Sequence, residues 1–112
     1  MTGATDFVSD GVRTFAIQNG HELLGCITGS GCVLGTTIAC MLAVCRHDKL
    51  LAAVAGLLVL ETAAERAAVK EGVHGPGTFV PAFIDELYHV AHNLTDDNFT
   101  EYFVRANLME VV

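Results

Sequence analysis

The residues Ile27-Thr28-Gly29-Ser30-Gly31-Cys32 hold the densest chemistry in this 112-residue chain. Their small side chains let a ligand approach the backbone, and the run leads straight into a helical pattern. The first N–H groups of a helix have no internal partner, and the helix dipole adds about half a positive charge there. A resident or developing phosphate suits such a loop. The same spacing also serves a tight turn before a closely packed helix, so composition alone leaves both readings open. Cys32 falls in the first helical turn, where a thiol is placed to act as base or nucleophile; its other reading is a small buried residue.

Several chemistries drop out on pattern. The chain contains neither GxxxxGK[ST] nor a GxGxxG after a strand, which excludes a P-loop NTPase and the dinucleotide fingerprint. Cys26, Cys32, Cys40 and Cys45 form no CxxC pair and have no histidine at zinc-finger spacing, so neither a zinc site nor a disulfide framework is expected. Cys40 and Cys45 are expected inside an apolar helix as small hydrophobes. His21 and His74 flank glycines and read as solvated or hydrogen-bonded loop residues. His89 and His92 share a helix face without a carboxylate at ligand spacing and read as surface residues.

Composition narrows the partners. Thirteen Asp and Glu against six Lys and Arg give a net charge of -7, without a basic cluster, so phosphate backbones and anionic lipid surfaces are repelled. With 52% hydrophobic residues the chain can bury a core. Its longest apolar runs, 33–45 and 50–60, fall short of the roughly 18 residues of a membrane span and read as buried helices. The first residues, MTGATDFVSDG, carry neither a basic segment nor an apolar one, so no secretory signal is read and a cytoplasmic location is expected.

The elements that must position the glycine loop follow from local pattern. Residues 5–20 predict a β-hairpin around Asp10-Gly11, closed by Asn19-Gly20. Residues 21–26 continue as a loop or short strand. From Ser30, a small capping residue, a helix runs with Val33, Leu34, Ile38, Met41, Leu42 and Val44 buried on nearly every side, ending at Arg46 and His47. Asp48 caps a second helix over 50–71, its first half buried and its charged second half surfacing. Gly72, Gly75, Pro76 and Gly77 break the chain, and Thr78 caps an amphipathic third helix to about residue 93 with Phe79, Phe83, Ile84, Leu87 and Val90 inward. A short fourth helix is expected at 96–103, then a tail, 106–112. Strands are too few for so apolar a helical pair, which predicts part of a larger α/β layer.

TGATDFVSDG, NGHELLGCITGSGCVLG, ETAAERA, GPGTF and FIDELY together resemble, in order and spacing, the C-terminal part of the hydroxyethylthiazole kinase family over residues 2–88. The similarity is especially marked to the kinase half of fungal bifunctional thiamine-phosphate synthase/hydroxyethylthiazole kinases. Most other ribokinase-like proteins place Asp where Cys32 stands. The resemblance implies a ribokinase-like α/β fold, with residues 1–112 forming a single incomplete domain, and ATP-dependent phosphorylation of 5-(2-hydroxyethyl)-4-methylthiazole in thiamine biosynthesis or salvage. It implies that Thr2 contacts ATP and that Gly29 lies against the thiazole. It further implies that the amides of Gly29, Ser30, Gly31 and Cys32 form an anion hole, with Cys32 nearest the attacking hydroxyl. ATP and Mg2+ are the implied cofactors and a trimeric homo-oligomer the implied assembly. The upstream half of such kinases carries the residues that handle Mg2+-ATP; here only Asp6 and Asp10 lie near the nucleotide side. Three alternatives stand beside this reading: another ribokinase-like vitamin kinase or dehydratase, a non-catalytic assembly segment, and a cysteine redox or acyl-transfer enzyme using Cys32 with His21.

Overall fold

The computed structural model describes residues 2–93 and 108–111. The hairpin forms as β1 (Asp6–Ser9) and β2 (Thr14–Ile17), with Asp6 opposite Ile17 and Ser9 opposite Thr14. Its turn is built by short polar side chains. Asp10 Oδ1 accepts the N–H groups of Val12 and Arg13 at 2.9 and 2.7 Å, and Gly11 adopts φ +89°. A third strand, β3 (Leu108–Val111), pairs antiparallel with β2, giving the order β1-β2-β3. The sequence pattern predicts only a tail here, because four residues that pair with a strand some ninety positions away carry no local signal of their partner.

Among the described residues three helices follow the hairpin: α1 (Ser30–Val44), α2 (Lys49–Ala68) and α3 (Pro76–Asn93). Residues Glu22–Cys26 form a 3-10 turn rather than a strand. The central helix is α2. Its Val54, Leu57 and Leu58 pack on Ile17 beneath the sheet, and its Val59, Leu60, Ala63, Ala64 and Ala67 pack on Phe79, Phe83 and Val90 of α3. The stacked rings of Phe79 and Phe83, 5.4 Å apart, fill the α2–α3 seam. On the opposite flank α1 crosses α2 at Gly56, where a Cβ would lie 2.9 Å from the Ile38 backbone, so only glycine admits this approach.

Burial differs from the sequence expectation in three places. No residue of α1 is buried, Cys40 is exposed and Cys45 half-buried, because only one side of α1 meets α2. Burial in α2 runs through Ala67 instead of ending midway, since α3 covers the second half. Ile84 of α3 is 57% exposed, while Glu86 takes a buried place and pairs with Lys70. The helix also begins at Pro76, ahead of Thr78. Pro suits a first helical position, and Thr78 Oγ1 instead accepts the His74 N–H at 2.7 Å. The expected helix at 96–103 lies outside the described residues. Among the described residues, no helix is long and apolar enough to cross a membrane.

Candidate functional site

The glycine loop opens α1 as the sequence predicts, with one change of detail. Gly29, not Ser30, is the N-cap, at φ +94° in the left-handed region that a side chain disfavours. The first helical bond runs from Val33 N–H to Gly29 O at 3.0 Å, so the N–H groups of Ser30, Gly31 and Cys32 precede the ladder. No side chain caps them. Ser30, the natural capping type, turns away and donates its hydroxyl to Leu24 O at 3.1 Å, which ties the loop to the 3-10 turn. Cys32 is exposed, so the small-buried-residue reading does not hold.

These amides stand beside a cavity of about 650 Å³. Ser30 and Gly31 line it on the α1 side, Thr2, Gly3 and Asp6 on the strand side, Asn19, Gly20 and His21 on the loop after β2, and Leu57, Leu60 and Glu61 along α2. Thr2, Ser30 and Gly31 therefore share one cavity, while Gly29 and Cys32 flank it in the same loop and turn. His21 is used locally: its Nδ1 accepts the Leu23 N–H at 3.2 Å and caps the 3-10 turn, which places the ring proton on Nε2.

Two carboxylates of α2, one helical turn apart, shape the remaining wall. Glu65 Oε1 accepts the side-chain amide of Asn19 at 3.1 Å and the N–H of Gly20 at 2.7 Å, and so fixes the loop before His21. Gly20 has φ +96° and sits against the Glu61 side chain. Glu61 is 1% exposed, and neither of its oxygens meets a hydrogen-bond partner among the described residues. Burial above all, then the facing Asp6 carboxyl and the charge of Glu65, pushes the Glu61 carboxyl up to about 9. In the sequence Glu61 reads as one of several surfacing charges. The signal present was its place at the end of Leu57-Leu58-Val59-Leu60, with Ala63, Ala64 and Ala67 continuing the same apolar face.

The hairpin turn lies elsewhere. The Arg13 guanidinium reaches both oxygens of Asp48 at 3.0 and 3.2 Å, and Asp48 Oδ1 accepts the Leu51 N–H to cap α2. Asp10, expected near the nucleotide side, is occupied by its own turn and by Arg13. Among the described residues no group of three His, Cys, Asp or Glu has the geometry of a metal site.

A small strand layer on three helices, with a glycine loop opening one of them onto a cavity, defines a ribokinase-like α/β chain. The structure is similar to that of hydroxyethylthiazole kinase from Pyrococcus horikoshii OT3, with TM-score 0.80 and 38% identity, covering 100% of this chain and 40% of that one. The model of the hydroxyethylthiazole kinase family matches residues 1–93, and the chain belongs to that family. It is 40% identical over 114 residues to a probable thiamine biosynthetic bifunctional enzyme of Schizosaccharomyces pombe, covering 96% of this chain and 22% of that protein. It is 48% identical over 88 residues to hydroxyethylthiazole kinase of Pyrococcus furiosus, covering 79% and 32%. The corresponding enzyme of Caldivirga maquilingensis is 46% identical over 101 residues, covering 90% and 35%. The chain thus spans about a third of the dedicated kinases, with 32% and 35% covered, and about a fifth of the bifunctional enzyme, with 22% covered.

Proposed function

We propose that residues 1–112 are the C-terminal portion of a cytoplasmic kinase domain that transfers the terminal phosphoryl group of ATP to the hydroxyl of 5-(2-hydroxyethyl)-4-methylthiazole. The observation that carries the reading is the uncapped start of α1, whose Ser30 and Gly31 line the same cavity as Thr2. Phosphoryl transfer depends on positioning and charge stabilisation more than on covalent help, and backbone amides at a helix start provide both. In this reading Thr2 contacts ATP, Gly29 lies against the thiazole, and the amides from Gly29 to Cys32 hold the anionic oxygens of the transferring group. Cys32, exposed in the first turn, accepts the hydroxyl proton or holds the hydroxyl in line. The amides suit phosphate. The acids of this chain suit Mg2+ less well, because Asp10 is spent on its turn and Asp6 Oδ1 already accepts the Gly3 N–H at 2.7 Å, so we assign the carboxylates that hold Mg2+ to the part of the kinase upstream of this segment. Mg2+, when bound, neutralises charge on the phosphates.

The assembly is a homo-oligomer, a trimer by resemblance. Val44, 81% exposed, with Ala39, Cys40 and Ala43 forms an outer face on α1 that a neighbouring subunit or the upstream half would cover. The test is a chimera in which this chain replaces the matching segment of a full-length relative, assayed for ATP consumption with the thiazole alcohol and Mg2+. Thiazole-dependent turnover is expected. A folded, trimeric chimera without turnover would favour the assembly-segment reading, and turnover only on another alcohol would favour a different vitamin kinase.

A further inference from the structure

The cavity wall contains two buried carboxyl groups close enough to act on each other, Asp6 on β1 at 8% exposure and Glu61 on α2 at 1%. They are acceptors without a donor between them. Asp6 Oδ1 is taken by the Gly3 N–H, and among the described residues no N–H or O–H reaches either oxygen of Glu61. Among the described residues no Lys or Arg lines the cavity. The other ionisable groups around Glu61 are Glu65 on its own helix and His21 and Glu22 at the 3-10 turn. Of these, Glu65 is committed to Asn19 and Gly20, and His21 Nδ1 to Leu23. A carboxylate buried this deeply without a partner is strongly disfavoured, and a second one beside it disfavours it further. The smallest change that resolves the conflict is one proton on Glu61.

We propose that Glu61 is a positioning residue that holds a proton directed at Asp6, and that this acid–carboxylate pair pins the 2–6 segment of the cavity wall against α2. The link is direct: Glu61 holds Asp6, Asp6 holds the Gly3 amide, and Gly3 adjoins Thr2. The proposal concerns the geometry of this chain and stands or falls apart from the kinase reading, because its test needs neither ATP nor a thiazole.

The experiment is an NMR pH titration of the full 112-residue chain, labelled with 13C at the carboxyl groups and 15N at the amides, run beside Glu61→Gln and Asp6→Asn. The Glu61 carboxyl carbon is expected to titrate on the alkaline side of neutrality, far above the exposed glutamates, and the Gly3 amide to shift over the same range. In Glu61→Gln, which keeps the shape and removes the proton exchange, the Gly3 amide should show no alkaline transition. In Asp6→Asn, whose amide donates to a charged Glu61, the Glu61 transition should move toward the ordinary range. Titration of Glu61 with the exposed glutamates overturns the proposal. So does a Gly3 amide that ignores the Glu61 transition, or a wild-type transition that KCl or MgCl2 shifts and choline chloride at equal ionic strength does not, which would put a bound cation where the proton is placed.

Discussion

The starts of α1 and α2 solve the same problem in opposite ways. At α2 the N-cap is Asp48, whose carboxylate takes the Leu51 N–H and is itself gripped by Arg13 from the hairpin turn, so the helix end is closed and tied to the sheet. At α1 the N-cap is Gly29, no side chain caps the amides, and the nearby Ser30 hydroxyl is turned onto Leu24 O. Both ends carry the same backbone donors and dipole. One is spent on stability and the other is left open beside a cavity, the contrast on which the proposed phosphate site rests.

The largest break in that contrast is at the open end. In the chimeric kinase Cys32→Ala should lower kcat by about 10² to 10⁴, the range of a lost positioned base, while Cys32→Asp should retain activity. Equal activity in wild type and the alanine variant would make Cys32 a bystander at the helix start. Gly29→Val should cost about 10² in kcat/KM, because it forces a β-branched residue to φ +94° and fills the approach to the amides. Unchanged kinetics would remove the anion hole from the mechanism.

The two ends also separate along the pH axis, which thermal unfolding of the chain can follow. Glu61, beside the open end, keeps its proton in the folded chain to about 9 but only to its ordinary 4.5 when unfolded. The folded state binds more protons in that window, so stability present below 4.5 falls as pH rises toward 9, by up to several kcal/mol, and Glu61→Gln should flatten the slope. At the closed end the signs reverse. Arg13 first, then the Leu51 N–H, holds the Asp48 carboxyl below 3.8, so its contribution exists above that value and disappears as pH falls beneath it. Asp48→Asn, which still caps but loses the charge, should give the smallest effect, a modest drop in Tm at pH 7 that vanishes in acid.

Local chemistry was legible in the sequence where it is settled within a few residues. Asp10-Gly11 announces the hairpin, Asp48 the start of α2, and the small residues 29–31 the start of α1. What escaped depends on distant partners. The run 33–45 is apolar nearly throughout, so nothing in it tells which side of α1 meets α2 at Gly56 and which stays bare. Glu61 reads as a surface charge until the hairpin and the loop at Gly20 close around it. Thr2, Ser30 and Gly31 could be named from the motif, but their common cavity needed the fold, as did Glu65, whose hold on Asn19 and Gly20 spans 45 positions.

The pairing of β3 with β2 sets an order of events during synthesis. The hairpin leaves the ribosome some ninety residues ahead of β3, so Ile17 must wait for Leu108 before the three-stranded sheet exists. Two strands alone are marginal in water, and contacts across so long a stretch form late. The helices therefore emerge while the edge of β2 is still open to any strand, including that of a neighbouring chain, and that edge is closed to mispairing only when β3 docks.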